Sequence, residues 1–153
     1  MMIYRVILFL LLNFAALGIG GLFTGKGVPS DWYLTLDKAP WTPPGWVFGA
    51  AWTTIMICFS FYLAYLWPTV SDKRLLVLLY VMQWVLNVSW NPAFFHFHAV
   101  GFALLLILAL TLLVGFCLFY YRSQLGWWTA LILPYFGWLL IATSLNAYIL
   151  INN

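Results

Sequence analysis

Residues 75–121 read LLVLLYVMQWVLNVSWNPAFFHFHAVGFALLLILALTLLVGFCLFYY, 47 residues between Arg74 and Arg122 without one Asp, Glu, Lys or Arg. A hydrocarbon core of ~30 Å is crossed by roughly 20 helical residues at about 1.5 Å each, so this run is too long to cross once and must turn back. Two breaks are available, Asn91-Pro92 and the small, polar patch His96-Phe97-His98-Ala99-Val100-Gly101. Only the second divides the run into two spans of ordinary length, about 75–97 and 99–121.

The same rule extends outward along the chain. Nine charged residues, Arg5, Lys26, Asp31, Asp37, Lys38, Asp72, Lys73, Arg74 and Arg122, leave the uncharged runs 6–25, 39–71 and 123–153 on either side. Each holds one span, about 3–23, 43–67 and 127–151. The sequence therefore predicts an all-α protein, an integral membrane bundle of five transmembrane helices forming one domain over residues 1–153. Composition agrees: 66% of residues are hydrophobic, 21% aromatic and 6% charged, with a mean hydropathy of +1.02, more apolar surface than a water-soluble core absorbs. A cleaved signal peptide is the competing reading of residues 1–23, because Arg5 precedes the apolar stretch; against it, the stretch is of full spanning length and no A-x-A-like site closes it.

The net charge of +3 comes from residues at span ends, so it speaks to orientation and not to nucleic acid. Arg5, Lys73, Arg74 and Arg122 fall on the N-terminal side against Lys26 and Lys38 on the other, which predicts a cytoplasmic N-terminus. No charge other than Arg5 lies within a span, which removes the usual markers of proton relays and ion pathways. No Ser/His/Asp order, paired carboxylates or phosphate-binding glycine loop offers hydrolysis or nucleotide chemistry. His96 and His98 lack a third ligand, so no metal site is expected, and Cys58 and Cys117, without C-x-x-C spacing, read as small apolar fillers.

Functional content must then lie in aromatic and neutral polar groups. In the span at 75–97, Gln83, Asn87, Trp90 and Phe94 recur at helical spacing on one face, and an amide in hydrocarbon must be bonded or meet a ligand. Tyr135, Trp138, Ala142 and Asn146 make a similar stripe in the last span, where Pro134 is expected to free a backbone carbonyl. Interhelical packing explains such stripes as readily as a ligand pocket does. Trp67, Trp127 and Trp128 at span ends read as interfacial anchors, whereas Trp52, Trp90 and Trp138 lie deeper. The one long loop, 24–42, holds Trp32, Tyr33 and Trp41, costly to leave in water, and so reads as an ordered lid. Thr42 is expected to cap the second span, with Pro43 and Pro44 in its first turn and Pro68 just past its end. Ala16 and Gly20, four apart in the first span, leave room for a close neighbour.

The string Trp32-Tyr33-Leu34-Thr35-Leu36-Asp37-Lys38-Ala39-Pro40-Trp41-Thr42-Pro43-Pro44-Gly45-Trp46, followed by Trp52, closely resembles the signature of the translocator protein family, also called tryptophan-rich sensory proteins or peripheral benzodiazepine receptors. The likeness continues through Gln83, Leu86-Asn87, Trp90, Pro92 and Phe94-Phe95, then Pro134-Tyr135, Trp138, Ala142-Thr143 and Leu145-Asn146. It implies a five-helix bundle, often a homodimer, that works as a receptor or sensor and binds porphyrins such as protoporphyrin IX and benzodiazepine-type ligands in a cavity under the first loop, the porphyrin being ligand and not cofactor. By that resemblance the pocket comprises Tyr33, Trp41, Pro43, Trp52, Gln83, Asn87, Trp90, Phe94, Trp138 and Ala142. Some bacterial members degrade protoporphyrin in light through two tryptophans, which match Trp52 and Trp138 and imply an alternative, enzymatic reading. The family's name suggests a third, transport of porphyrin or lipid, which neither intramembrane charge nor repeat symmetry supports here. Animal members carry a Leu/Val, Tyr, Lys/Arg pattern for cholesterol; after Leu145 and Tyr148 no basic residue follows, so the resemblance does not extend to sterol, and it points to a bacterial cell membrane.

Overall fold

A computed structural model describes all residues 1–153. Five long helices form as the hydropathy requires: α1 (Met2–Gly27), α3 (Gly45–Thr69), α4 (Lys73–Phe95), α5 (Val100–Tyr120) and α7 (Leu133–Asn152), with short helices α2 (Asp31–Thr35) and α6 (Arg122–Leu125) and a 3-10 segment, Gly126–Ile132, between α6 and α7. The first four, and the continuous helical stretch Arg122–Asn152 that ends in α7, are long and apolar enough to cross a membrane. Large side chains such as Leu11, Leu112 and Phe119 point outward, Leu112 being 74% exposed, and in hydrocarbon that outer face costs nothing. The chain is a multi-pass membrane protein.

The chain reverses where the small, polar patch lies. α4 runs through Pro92 to Phe95, His98 adopts a left-handed conformation (φ 52), and the Ala99 N–H donates back to the Ala93 carbonyl at 2.9 Å. Three local expectations are corrected. Thr42 does not cap α3: Pro44 is its N-cap, with ψ 148, and Pro44 drives Pro43 before it out of the helical region, so Pro43 cannot begin the helix; Thr42 instead donates its hydroxyl to the Ala39 carbonyl at 2.7 Å. α3 does not stop before Pro68 but carries it in its last turn. The final α-helix starts at Leu133 and not near Trp127, so Pro134 sits in its first turn, where no bond is lost, and the Ala130 carbonyl accepts from the Leu133 N–H.

The helices close a ring. α1 packs between α3 and α4, α5 between α4 and α7, and α3 meets α7. The close approach of α1 to α4 is made at Gly20, where a Cβ would lie 2.6 Å from Asn91 Nδ2, and at Gly27, where it would collide with the Phe95 ring. Asn13, buried in α1, ties three helices: its Nδ2 donates to Ser60 Oγ at 2.9 Å and its Oδ1 accepts from the Tyr80 hydroxyl at 2.9 Å.

Apolar packing inside the ring divides in two. A core of 23 buried residues fills the half nearer the N-terminus, from Phe9 through Tyr62, Val114 and Tyr135. A second cluster of four, Ala93, Phe94, Ala103 and Ile149, lies at the opposite end beneath α2. Between them α4 faces α7.

Candidate functional site

Both aromatic stripes face the same seam. α4 and α7 are parallel, separated in the ring by α5 on one side and by α1 and α3 on the other, and long side chains bridge them where backbones do not pack. Gln83 Nε2 donates to the Tyr135 hydroxyl at 2.7 Å, and Trp90 Nε1 donates to Asn146 Oδ1 at 3.0 Å. Asn146 in turn donates from Nδ2 to the Val100 carbonyl at 3.0 Å, anchoring the upper strut on α5. Between floor and strut the seam runs seven residues along α4 and eleven along α7, roughly 10 and 16 Å at helical rise.

The walls combine aromatic faces with buried polar groups that lack partners. Trp138 is buried, Phe48 meets its ring edge-on at 5.3 Å, and its Nε1–H has no hydrogen-bond partner within the protein. Gln83 Oε1 is likewise buried and unpartnered; turning the amide over would leave its Nε2 in the same position. Asn87 is buried a turn above Gln83, and Asn91 bonds its backbone carbonyl at 3.2 Å, not its carboxamide. Ala142, half-buried, is the small residue of the α7 stripe. Trp52 meets Tyr135 edge-on at 6.0 Å. A buried donor without a partner costs about 1–3 kcal/mol.

α2 roofs the seam. Ser30 caps it, its Oγ accepting from the Tyr33 N–H at 3.3 Å. Trp32 and Tyr33 lean edgewise on Phe94 at 5.6 and 6.3 Å, and Phe94 stacks on Trp90 at 5.2 Å, so roof and strut are one aromatic assembly. Burial raises the Tyr33 phenol above its ordinary pKa, which keeps it neutral beneath Lys38, whose ammonium lies 4.8 Å from its ring centre. The loop after α2 is held by a reciprocal pair, Asp37 N–H to Asn153 Oδ1 at 2.8 Å and Asn153 Nδ2 to the Asp37 carbonyl at 3.1 Å.

Of the residues singled out in the sequence, Gln83 and Trp90 bridge from α4 to Tyr135 and Asn146 of α7, Phe94 joins Trp90 to Tyr33 of the roof, and Trp52 meets Tyr135 from α3; Asn87 is buried on the same stripe of α4, and Trp138, on the α7 stripe with Ala142, packs on Phe48 of α3. Trp41 stands apart. It is 54% exposed and fastened to the other side of α7, donating to Ser144 Oγ at 3.1 Å with its ring against Tyr148 at 5.5 Å. Pro43 is half-buried ahead of α3. Asn146 belongs to the seam as its strut, and Phe48 as the ring against Trp138; Phe48 carries no polar or periodic signal that would have marked it. His98 lies flat on Trp32 at 3.9 Å and His96 meets Phe23 at 6.3 Å, so both pack on aromatic neighbours at the roof.

Comparison with known proteins gives one consistent answer. The TspO/MBR family model matches residues 7–151. The chain is similar to Protein CrtK of Rhodobacter capsulatus, 32% identical over 123 residues that cover 77% of this chain and 76% of the relative. It is 30% identical over 138 residues to the tryptophan-rich protein TspO of Archaeoglobus fulgidus, covering 88% and 87%, and 33% identical over 135 residues to the human translocator protein, covering 84% and 78%.

Proposed function

This chain belongs to the TspO/MBR family of membrane sensors and translocators, and we propose that it is a receptor or sensor that seats a porphyrin such as protoporphyrin IX, or a benzodiazepine-type molecule, in the seam between α4 and α7. The observation that carries this reading is the Trp138 indole of the α7 stripe, buried with its donor unpaired. A flat macrocycle stacks on indole and phenyl faces and supplies acceptors to Trp138 and Asn87. α2 then closes over it. The reading extends to a bacterial cell membrane with a cytoplasmic N-terminus, supported by the four-to-two distribution of basic residues, and to a homodimer, supported by the outer face of α1, where Gly18, Gly21 and Gly25 meet nothing within 4 Å.

One contact favours a second reading, light-dependent degradation of the porphyrin. Trp52 packs on Tyr135 below the seam, setting an oxidisable indole beside an oxidisable phenol. A single experiment separates the two. Purified protein is titrated with protoporphyrin IX in the dark, followed by quenching of tryptophan fluorescence, and the complex is then illuminated. The receptor reading expects saturation at micromolar concentration or below, about tenfold weaker in Trp138→Phe, roughly the 1.4 kcal/mol of one recovered hydrogen bond, and a stable spectrum in light. Bleaching in light that is lost in Trp52→Phe supports degradation; linear, unsaturable quenching overturns both.

A further inference from the structure

On the outer surface of the bundle, away from the seam, charge meets an apolar track. An open groove of about 460 Å³ lies along α4, lined by Lys73, Arg74, Val77, Leu78 and Val81. Arg74, Val77, Leu78, Val81 and Val85 recur at helical spacing and share one face, and all five are exposed. From Arg74 to Val85 that face runs roughly 16 Å at helical rise, the depth of one leaflet of a ~30 Å hydrocarbon core. The two cations at its head are not equivalent. The Lys73 ammonium is spent on the last turn of α3, donating to the Trp67 and Val70 carbonyls. Asp72, the one acidic side chain at this end, is spent as the α4 N-cap, accepting from the Leu75 N–H at 2.9 Å. Arg74 keeps its guanidinium free at the head of the track. Arg5 adds a second positive charge beside it: Trp84 Nε1 donates to the Leu12 carbonyl at 3.0 Å, and seven residues lower on each of these parallel helices Arg5 stands level with Val77.

We propose that this face of α4 is a binding site for an anionic phospholipid, with its phosphate on the Arg74 guanidinium and one acyl chain along Val77, Leu78, Val81 and Val85. A guanidinium offers paired N–H donors that match two phosphate oxygens, and basic residues at a span end favour anionic over zwitterionic lipid. A second copy of the chain fits the face poorly. A two-fold contact there would bring both Arg74 side chains to the same depth with no free acid between them, and the track has none of the small residues that let membrane helices meet closely. The site does not rest on the porphyrin reading.

The test uses the full chain, methyl-labelled at Leu and Val, in phosphatidylcholine nanodiscs without porphyrin. The discs are doped in turn with phosphatidylglycerol and with phosphatidylcholine carrying a nitroxide near the end of one acyl chain, and paramagnetic broadening of methyl resonances is read. Leu108 and Leu112, exposed on α5, serve as lipid-facing references, twelve and eight residues from the end of that helix as Val85 and Val81 are from the start of α4. The expected result is at least twofold greater broadening by the labelled phosphatidylglycerol than by the labelled phosphatidylcholine at Val81 and Val85, with no such excess at Leu108 and Leu112. Arg74→Gln removes the excess, whereas Arg122→Gln, which alters an exposed cation outside the groove, leaves it. Salt at about 0.5 M, which screens charge beyond a few ångströms, at least halves the excess in the unaltered chain and decides the point if Arg74→Gln misfolds. Equal broadening by the two lipids, an equal excess on α5, an excess that survives Arg74→Gln or salt, or methyl contacts between differently labelled copies at Val77 to Val85 overturns the proposal.

Discussion

Asn13 shows what single polar residues do in this bundle. Its carboxamide is buried in α1 and bonds Ser60 of α3 and Tyr80 of α4 together, so truncation leaves the Tyr80 hydroxyl without its acceptor in hydrocarbon, while Ser60 keeps its bond to the Met56 carbonyl. Asn13→Ala should lower the unfolding free energy by about 1–2 kcal/mol, whereas Asn152→Ala, which loses only an exposed bond to the Tyr148 carbonyl, should stay within about 0.5 kcal/mol; denaturant unfolding in mixed micelles reads both. Equal effects would mean that the triple junction contributes nothing special. Asn13 carried no signal in the sequence, since one amide in an apolar span has no periodicity and its partners are 47 and 67 residues away. Gln83, Asn87, Trp90 and Phe94 did, because four residues at helical spacing define a face whatever lies opposite.

At the scale of elements, the fit of α1 against α4 rests on missing side chains. A Cβ on Gly27 would enter the Phe95 ring, while one on Gly25 meets nothing. Gly27→Ala should cost about 1–3 kcal/mol by overpacking and also weaken porphyrin binding, because Phe95 packs edgewise on Phe94 and Trp90 under the roof. Gly25→Ala, in an open helical position, should be neutral or stabilising by up to about 1 kcal/mol. Thermal melting with and without porphyrin checks both; a harmless Gly27→Ala would detach the roof from the α1–α4 contact. Helix ends were the least legible elements. Rules for single residues make Pro43 and Pro68 punctuation and Pro134 a mid-span break, but adjacent prolines, a last turn that tolerates one, and a 3-10 lead-in that shifts the start of α7 shape these ends here.

At the scale of the molecule, charge spacing was enough to count the spans, because hydrocarbon admits helices of one length and little else. The neighbours around the ring were not legible, since five amphipathic stripes can be arranged in several orders and only packing at Gly20, Gly27 and Asn13 selects this one. The division of the interior into two cores with a seam between them was equally hidden, and so was the placing of Trp41 outside it, because a tryptophan in a loop carries no facing. The account stands on that seam being the ligand seat. Its most direct test is the nitrogen-15 spectrum of the ten indole N–H groups, recorded with and without protoporphyrin IX in the dark and assigned by single Trp→Phe variants. The account predicts that Trp138 and Trp90 shift most through ring current and hydrogen bonding, with Trp52 next, while Trp67 and Trp127 at the far end stay in place; shifts confined to Trp67, Trp127 or Trp128, or none at all, would contradict it.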